Sequence, residues 1–331
     1  MTTNWLDLTD ESAVEPELPI IDPHHHLWER QDDVYLLDEL LADVSEHNVR
    51  QTVFIECGSK YRLDGPEELR VVGETEFVER VANQSAAREK DEVQACTGIV
   101  STADLTLGDN VTPVLEAHLE ASPDRFRGIR HRAAWDAFDR LAVHTPLPHL
   151  LLDRNFREGY AHLERYGLSF EGWVYHPQMA EITDLARTFP NTTIILNHLA
   201  GPLGIGPYAE RQDEIFNSWR PALSELAKCQ NVVAKVGGIQ MQINGFGWDE
   251  RNRPPNSDEL LESNRRWYEH TIDVFGPERC MFESNFPVDR LSCSYTVLWN
   301  QFKKLTSSYS SSERAAMFHD TAMRIYRLEE I

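Results

Sequence analysis

Short apolar segments rich in β-forming residues alternate along this chain with segments of helical periodicity, and the alternation repeats eight times. The predicted strands cover residues 19–25, 51–57, 94–100, 125–131, 169–176, 192–198, 231–238 and 279–285. Strands that alternate with helices pair in parallel through right-handed crossovers. Eight such units favour a closed barrel over an open doubly wound sheet, and no GxGxxG motif follows the first strand. The sequence therefore predicts an α/β fold, a single (β/α)8 TIM barrel.

The 331 residues divide into an extended N-terminal arm at 1–18 and the barrel at 19–331. The arm is acidic, and we expect it to pack against the barrel or a neighbouring subunit. Three connections are too long for simple turns, at residues 57–70, 199–213 and 239–257. Each follows a predicted strand, so we expect long βα loops at the C-terminal mouth of the barrel, where this fold builds active sites.

The formal net charge of −22, from 54 acidic and 32 basic residues, argues against a nucleic-acid partner because such a body repels a phosphate backbone. No apolar run reaches the length of a membrane span, and the N-terminal residues lack the apolar core of a signal peptide. Five scattered cysteines without a CxxC pair suit reduced thiols. These features predict a cytoplasmic protein with a small-molecule partner and leave open whether it forms a homo-oligomer.

The segment PIIDPHHHLWER at 19–30 places three histidines at the end of the first predicted strand. Alternate residues of a strand share a face, so His24 and His26 point to one side and His25 to the other. Two imidazoles at the mouth of a barrel can converge on one metal ion or one substrate oxygen. A hydrogen-bonded structural role is the alternative for any single histidine at a strand end.

Polar residues also stand at the ends of the other predicted strands. These are Glu56, Arg130, His176, His198, Lys235, Glu283 and Asn285. Arg130 could clamp a substrate carboxylate through its planar guanidinium, whereas Glu56 could equally be its internal ion-pair partner. Lys235 allows the same two interpretations, as a functional group or as the partner of a barrel carboxylate. Glu283 and Asn285 are two residues apart and share a strand face.

Taken together, these motifs resemble the amidohydrolase 2 branch of the amidohydrolase superfamily, and the resemblance runs from Pro19 to Leu328. It rests on IIDPHHHLW, RFRGIRH, VYHPQMAEITDLARTFPNTTIILNHLAGP, NVVAKVGGI, RCMFESNFPVD and RAAMFHDTAMRIYRL. Members of this family are TIM barrels that hydrolyse lactones, such as 2-pyrone-4,6-dicarboxylate lactonase and the sugar-acid lactonases. Relatives in the wider group are zinc-dependent decarboxylases. The resemblance thus implies a lactonase-like hydrolase.

Position by position, the resemblance implies a site built from histidines. The D-x-H-x-H motif of the family falls on Asp22, His24 and His26. The fifth-strand and sixth-strand histidines of the family fall on His176 and His198. The implied metal ligands are His24, His26 and His198, with zinc as the divalent ion that suits nitrogen ligands. A metal-free site is an equal alternative, because the family includes metal-free lactonases.

The chain departs from the family at the eighth strand, where the usual G-S-D-W-P motif is replaced by ESNFP at 283–287. The aspartate that binds metal or activates water in the family is Asn285 here. An amide cannot accept a proton at neutral pH, so Asn285 cannot be the general base. Glu283, Asp289 or a neutral histidine remain as candidate bases.

The sequence thus predicts a hydrolase of a small carboxylated molecule, a lactone or another ester-like carbonyl compound, attacked by water at a histidine-rich mouth. The predicted catalytic residues are His24, His26, His176, His198, Glu283, Asn285 and Asp289. The predicted substrate-binding residues are Arg130, Lys235, Glu56, Arg62 and Trp248. A metal-dependent decarboxylase on the same barrel is the first alternative. A barrel that binds a ligand without converting it, suggested by Asn285, is the second.

Overall fold

The computed structural model describes residues 5–31, 33–88, 93–138, 141 and 147–331. Eight parallel strands form one sheet in sequence order: β1 Ile20–His25, β2 Val49–Ile55, β3 Gln94–Ser101, β4 Phe126–Ile129, β5 Ser169–Gly172, β6 Ile194–Leu196, β7 Val232–Gly237 and β8 Cys280–Glu283. The sheet closes at its two ends, because a parallel bridge joins His25 to Phe286 and the His26 amide donates to the Phe286 carbonyl at 2.8 Å. The predicted (β/α)8 barrel is confirmed.

Each barrel strand is followed by a helix that packs on the outside of the sheet. These helices are α1 Leu37–Val44, α2 Val72–Ala86, α3 Thr112–Ala121, α4 Arg154–Arg165, α5 Met179–Thr188, α6 Gln212–Leu226, α7 Ser257–Phe275 and α8 Tyr295–Leu305. Two short helices follow, α9 Ser311–Ala315 and α10 Thr321–Tyr326. Their apolar residues recur at helical spacing: in α6 the side chains of Ile215, Trp219 and Leu223 are buried one turn apart.

The barrel strands are buried on both faces, as expected for parallel strands between a packed interior and a ring of helices. Every residue of β1 and of β7 is buried. Inside the barrel, Ile21, Val53 and Val233 belong to one apolar cluster, which Tyr326 of α10 joins. The C-terminal helix therefore covers the N-terminal end of the barrel and leaves the opposite end, the mouth, for polar residues.

The mouth carries the long βα loops that the sequence predicts after β2, β6 and β7. A fourth long connection lies between β4, which ends at Ile129, and a short helical turn that begins at Leu150. A small antiparallel hairpin, Trp28–Arg30 with Asp33–Tyr35, follows β1 at the same end. These loops and the hairpin surround the strand ends that bear the candidate residues.

Described residues of the N-terminal arm contact the outer helices of the barrel. The Glu11 carboxylate accepts hydrogen bonds from the Ser257 amide at 2.7 Å and from Asn300 Nδ2 at 3.0 Å. The Val14 amide donates to Asn300 Oδ1 at 2.8 Å. The arm is thereby attached to the start of α7 and to α8. Within the described part of the chain, no helix is both long and apolar enough to cross a membrane.

Candidate active site

A cavity of about 190 Å³ lies at the mouth of the barrel. We call it the mouth cavity, and it is lined by His26, Trp28, Arg30, Cys57, Arg130, Arg132, Trp173, His198, Met241, Asn285 and Val288. Larger surface depressions of about 480 and 640 Å³ lie at the opposite end of the barrel and beside the arm, but no described histidine lines either of them. The chemistry of the strand ends therefore points to the smaller mouth cavity.

Glu283, at the end of β8, joins two of the predicted histidines. Its Oε2 lies 2.8 Å from His24 Nδ1, and its Oε1 lies 2.8 Å from His198 Nδ1. All three side chains are almost completely buried. The close approach requires glycine at the end of β7, because a Cβ on Gly238 would lie 1.8 Å from His198 Nδ1. The sequence Gly237–Gly238 thus makes room for the pair of Glu283 and His198.

His24 also lies between two cations. Arg130 Nη1 is 3.3 Å from its Nε2, and Lys235 Nζ is 3.1 Å from its Nδ1. A guanidinium and an ammonium can only donate, so the neutral ring of His24, which has a single accepting nitrogen, can accept from only one of these two cations. The ammonium of Lys235 is neutralised by Glu171 Oε2 at 2.9 Å, and both of these side chains are fully buried.

Burial keeps the imidazoles of the site neutral. It lowers the pKa of His24, His26 and His198 well below the ordinary value, and the nearby cations Arg130 and Lys235 add to the effect. Burial raises the pKa of Glu283 to about 8. Neutral imidazoles can accept a proton or bind a metal ion, which protonated imidazoles cannot do.

Only one of the two ring nitrogens of His26 can carry the hydrogen of the neutral imidazole. Its Nδ1 lies 2.8 Å from the Ile55 carbonyl oxygen, which can only accept a hydrogen bond. Nδ1 therefore carries the hydrogen, and Nε2 is left as an acceptor. The ring stacks on Trp28 with 6.1 Å between centroids, and it lines the mouth cavity.

Glu56 holds two guanidinium groups at the wall of the cavity. Arg130 Nε and Arg132 Nε each donate to its Oε1 at 2.8 Å, and Arg132 Nη2 donates to its Oε2 at 2.7 Å. Burial alone would raise the pKa of this carboxyl group, but the two guanidinium groups outweigh it and lower the pKa to about 2. Arg130 and Glu56 therefore form a buried ion pair, and Nη1 of Arg130 remains directed toward His24.

Asn285 lines the mouth cavity from the end of β8, and Asp289 lies behind it. Asn285 Nδ2 donates to Asp289 Oδ1 at 2.8 Å, and the Gln240 amide donates to Asp289 Oδ2 at 3.2 Å. Asp289 is fully buried, and burial raises its pKa well above the ordinary value. The contact with Asp289 occupies the amide nitrogen of Asn285 and leaves its oxygen as the free polar atom.

Of the twelve predicted site residues, four line the mouth cavity and eight do not. The His176 ring packs against Tyr208 with 5.4 Å between centroids. Arg62 Nε donates to Glu76 at 3.3 Å. Trp248 is buried and donates through Nε1 to Gln240 Oε1 at 2.9 Å. The other five, His24, Glu56, Lys235, Glu283 and Asp289, also do not line the cavity, but each contacts another candidate residue.

Sequence reasoning missed several residues of the site. Glu171, in the middle of the fifth predicted strand, neutralises Lys235 and accepts hydrogen bonds from Asn197 and Tyr326. The available signal was an acidic residue inside a strand that is otherwise buried. Arg30 and Arg132 line the cavity from positions that carry no motif, and their placement depends on the loops.

His24, His198 and Glu283 form a group that could hold one metal ion. Their ligand atoms all lie within 4.8 Å of one another, and within the described ranges no other cluster of this kind is present. Two imidazole nitrogens and one carboxylate oxygen are a ligand set that zinc accepts, with a further position left open. The residues present therefore fit a divalent ion, although His26 is not a member of the group.

The sequence profile of the amidohydrolase family matches residues 21–328. The chain belongs to the amidohydrolase family. This amidohydrolase is 33% identical over 334 residues to an uncharacterised protein of Sinorhizobium fredii, an alignment that covers 94% of this chain and 99% of the relative. It is 26% identical over 325 residues to the L-fucono-1,5-lactonase of Burkholderia ambifaria, covering 93% and 96% of the two chains.

Solved structures share the fold of this amidohydrolase. A crystal structure of an amidohydrolase from Burkholderia multivorans with bound zinc superposes with a TM-score of 0.72 at 24% identity, covering 94% of this chain and 99% of that one. The family resemblance predicted from the motifs is confirmed, and with it the enzyme class. The roles of the individual site residues stay predictions.

Proposed function

We propose that this amidohydrolase hydrolyses a lactone, with His26 as the general base. The observation that carries the proposal is the contact of His26 Nδ1 with the Ile55 carbonyl at 2.8 Å. This contact fixes the hydrogen on Nδ1 and leaves Nε2, in a residue that lines the cavity, as a proton acceptor. The relatives named L-fucono-1,5-lactonase support the choice of a lactone over other esters.

His24, His198 and Glu283 are the residues that would hold a divalent ion, and zinc suits them best. The zinc in the Burkholderia multivorans amidohydrolase supports this choice. The chemistry that such an ion supplies is Lewis-acid polarisation of the substrate carbonyl. In its ionised form, which a bound dication favours, Glu283 would bring the negative charge that Asn285 lacks in comparison with the family aspartate.

The remaining residues of the site orient and shield the reactants. The Asn285 oxygen accepts a hydrogen bond from the attacking water, whose proton passes to His26 Nε2. Arg130 Nη1, held by the pairing with Glu56, donates to the oxygen that becomes negative when water adds to the carbonyl carbon. His26 then returns the proton to the ring oxygen as the acyl C–O bond breaks. Trp28 and Trp173 cover the cavity walls with apolar surface.

The test is acid release from a panel of five- and six-membered lactones, measured with the metal content of the purified protein. We expect turnover of at least one lactone class and zinc in the purified protein. Carbon dioxide release from a carboxylated lactone without ring opening would instead show a decarboxylase. Binding without any turnover would show a barrel that only binds ligands.

His26→Gln tests the role of the base. We expect kcat to fall by about 10²- to 10⁴-fold, the usual contribution of a general base, with zinc content retained. His176→Gln is the matched control, because His176 also follows a barrel strand but does not line the cavity. Equal activity losses in the two variants would refute the assignment of His26.

A further inference from the structure

The mouth cavity is lined by three guanidinium groups, Arg30, Arg130 and Arg132, and by no carboxylate of the described residues. Glu56 does not line the cavity, but its carboxylate pairs with both Arg130 and Arg132. Its single negative charge offsets the positive charge of one of them. The cavity of a protein with a net charge of −22 is therefore locally cationic. A cationic cavity with low-dielectric walls concentrates anionic ligands.

Arg30 differs from the other two because its guanidinium has no acidic partner among the described residues. Its guanidinium carbon lies 4.0 Å from the centre of the Trp28 ring, and it makes no hydrogen bond or ion pair across the described ranges. Trp28 is itself held in place, since its Nε1 donates to Asp33 Oδ2 at 2.8 Å. A guanidinium stacked on an aromatic ring keeps the N–H groups at its edge available for a ligand.

Cations of the surrounding loops are already paired with carboxylates: Lys60 with Glu29, Arg62 with Glu76 and Arg251 with Glu259. Arg130, the residue predicted from the sequence to clamp a carboxylate, is paired with Glu56. A ligand can therefore accept hydrogen bonds from the Arg30 guanidinium without breaking an ion pair between described residues. Breaking a buried pair such as Arg130–Glu56 would cost much of the binding energy gained.

We propose that Arg30 binds a carboxylate substituent of the substrate and makes the enzyme selective for carboxylated lactones over neutral ones. The inference rests on the proposed lactonase function. His26 and Arg30 both contact the Trp28 ring, so one rigid wall carries the group that takes the proton and the group that holds the carboxylate.

The experiment compares two substrates that differ only in charge, 5-oxotetrahydrofuran-2-carboxylate and its carboxamide. For Arg30→Gln we expect KM of the carboxylate to rise about tenfold to a hundredfold, the cost of losing a charge-assisted hydrogen bond. We expect KM of the carboxamide and kcat of both substrates to stay unchanged. Arg30→Lys keeps the charge but loses the planar stack, so its KM should lie between those of the wild type and Arg30→Gln.

Lys60→Gln is the matched control, because it removes one positive charge from the same mouth outside the cavity lining. If it raises KM of the carboxylate as much as Arg30→Gln does, the effect is general electrostatics and the proposal is overturned. The proposal also fails if Arg30→Gln affects both substrates equally.

A binding measurement separates this inference from the proposed reaction. Calorimetric titration with glutarate, a dicarboxylate without a lactone ring, requires no turnover. Weaker glutarate binding in Arg30→Gln, together with no hydrolysis of any lactone, would retain Arg30 as an anion site and overturn the hydrolase. Equal glutarate binding in the wild type and Arg30→Gln would overturn the role of Arg30 whatever the reaction is.

Discussion

Glu283 contacts the imidazoles of His24 and His198 through different carboxylate oxygens, each at 2.8 Å. A glutamine at this position replaces the carboxylate with a neutral amide, which offers no negative charge to a metal ion. We expect Glu283→Gln to lower zinc affinity about tenfold to a hundredfold, as loss of a carboxylate next to ligating histidines does. Competition with a chromophoric chelator measures this, and Glu250→Gln removes the same charge from the surface as a control. Unchanged zinc affinity would contradict the proposed ligand group.

Asn285→Asp restores the residue that the family carries at this position. The new carboxylate would face Asp289, which now accepts from Asn285 Nδ2 at 2.8 Å. We expect higher zinc occupancy than in the wild type, because a second carboxylate offsets more of the charge of the ion. Asn285→Ala removes the same hydrogen bond without adding charge and should not raise occupancy. A wild type that already holds one full equivalent of zinc, with an aspartate variant that binds no more tightly, would refute this account.

The residues that sequence could predict are those whose position follows from strand alternation alone. His24 lies on β1 and His26 directly follows it, while His198 and Glu283 lie near the ends of β6 and β8. His176 carried the same signal as His198, but the loop that follows β5 turns its ring against Tyr208. Arg30 could not be predicted, because its place depends on a hairpin that no motif marks. Side-chain partners are chosen by loop packing, which strand patterns do not encode.

At the scale of elements, the ends of β6 and β7 shape the site through their backbone. Gly238 has a φ of +64, and a Cβ there would lie 1.8 Å from His198 Nδ1. We expect Gly238→Ala to displace His198, to lower the midpoint of thermal unfolding and to reduce zinc affinity. Gly167→Ala is the matched control, since Gly167 has a φ of +62 and nothing lies within 4 Å of the added Cβ. If both variants lose zinc affinity to the same extent, the loss comes from backbone strain at the substituted glycine and not from displacement of His198.

The eight barrel strands could be predicted because short β-rich apolar segments alternate with helical patterns along the chain. The sequence did not predict the long connection between β4 and the turn at Leu150. The hairpin Trp28–Arg30 with Asp33–Tyr35 is too short to show a two-residue period. Short or irregular elements owe their form to the barrel beneath them rather than to a local pattern.

At the scale of the whole molecule, a buried lysine ties the arm to the barrel. Lys303 Nζ on α8 donates to the Glu15 carbonyl at 2.9 Å and lies 2.8 Å from His47 Nδ1. Burial lowers the pKa of Lys303 from 10.5 to about 8. At neutral pH Lys303 is still protonated beneath the arm, although burying its positive charge costs free energy.

The sign of the resulting pH dependence follows from proton binding. Between pH 8 and 10.5 the unfolded chain keeps the Lys303 proton and the folded chain has lost it, so the free energy of unfolding rises with pH in this window. Below pH 8 both states are protonated and this residue contributes no slope. We expect the unfolding free energy of the wild type, minus that of Lys303→Met, to rise between these two pH values in urea titrations. Lys304→Met, on the same helix but paired with Asp258 near the surface, controls for the loss of one lysine from α8. A flat difference for Lys303→Met would mean that its ammonium is not buried beneath the arm.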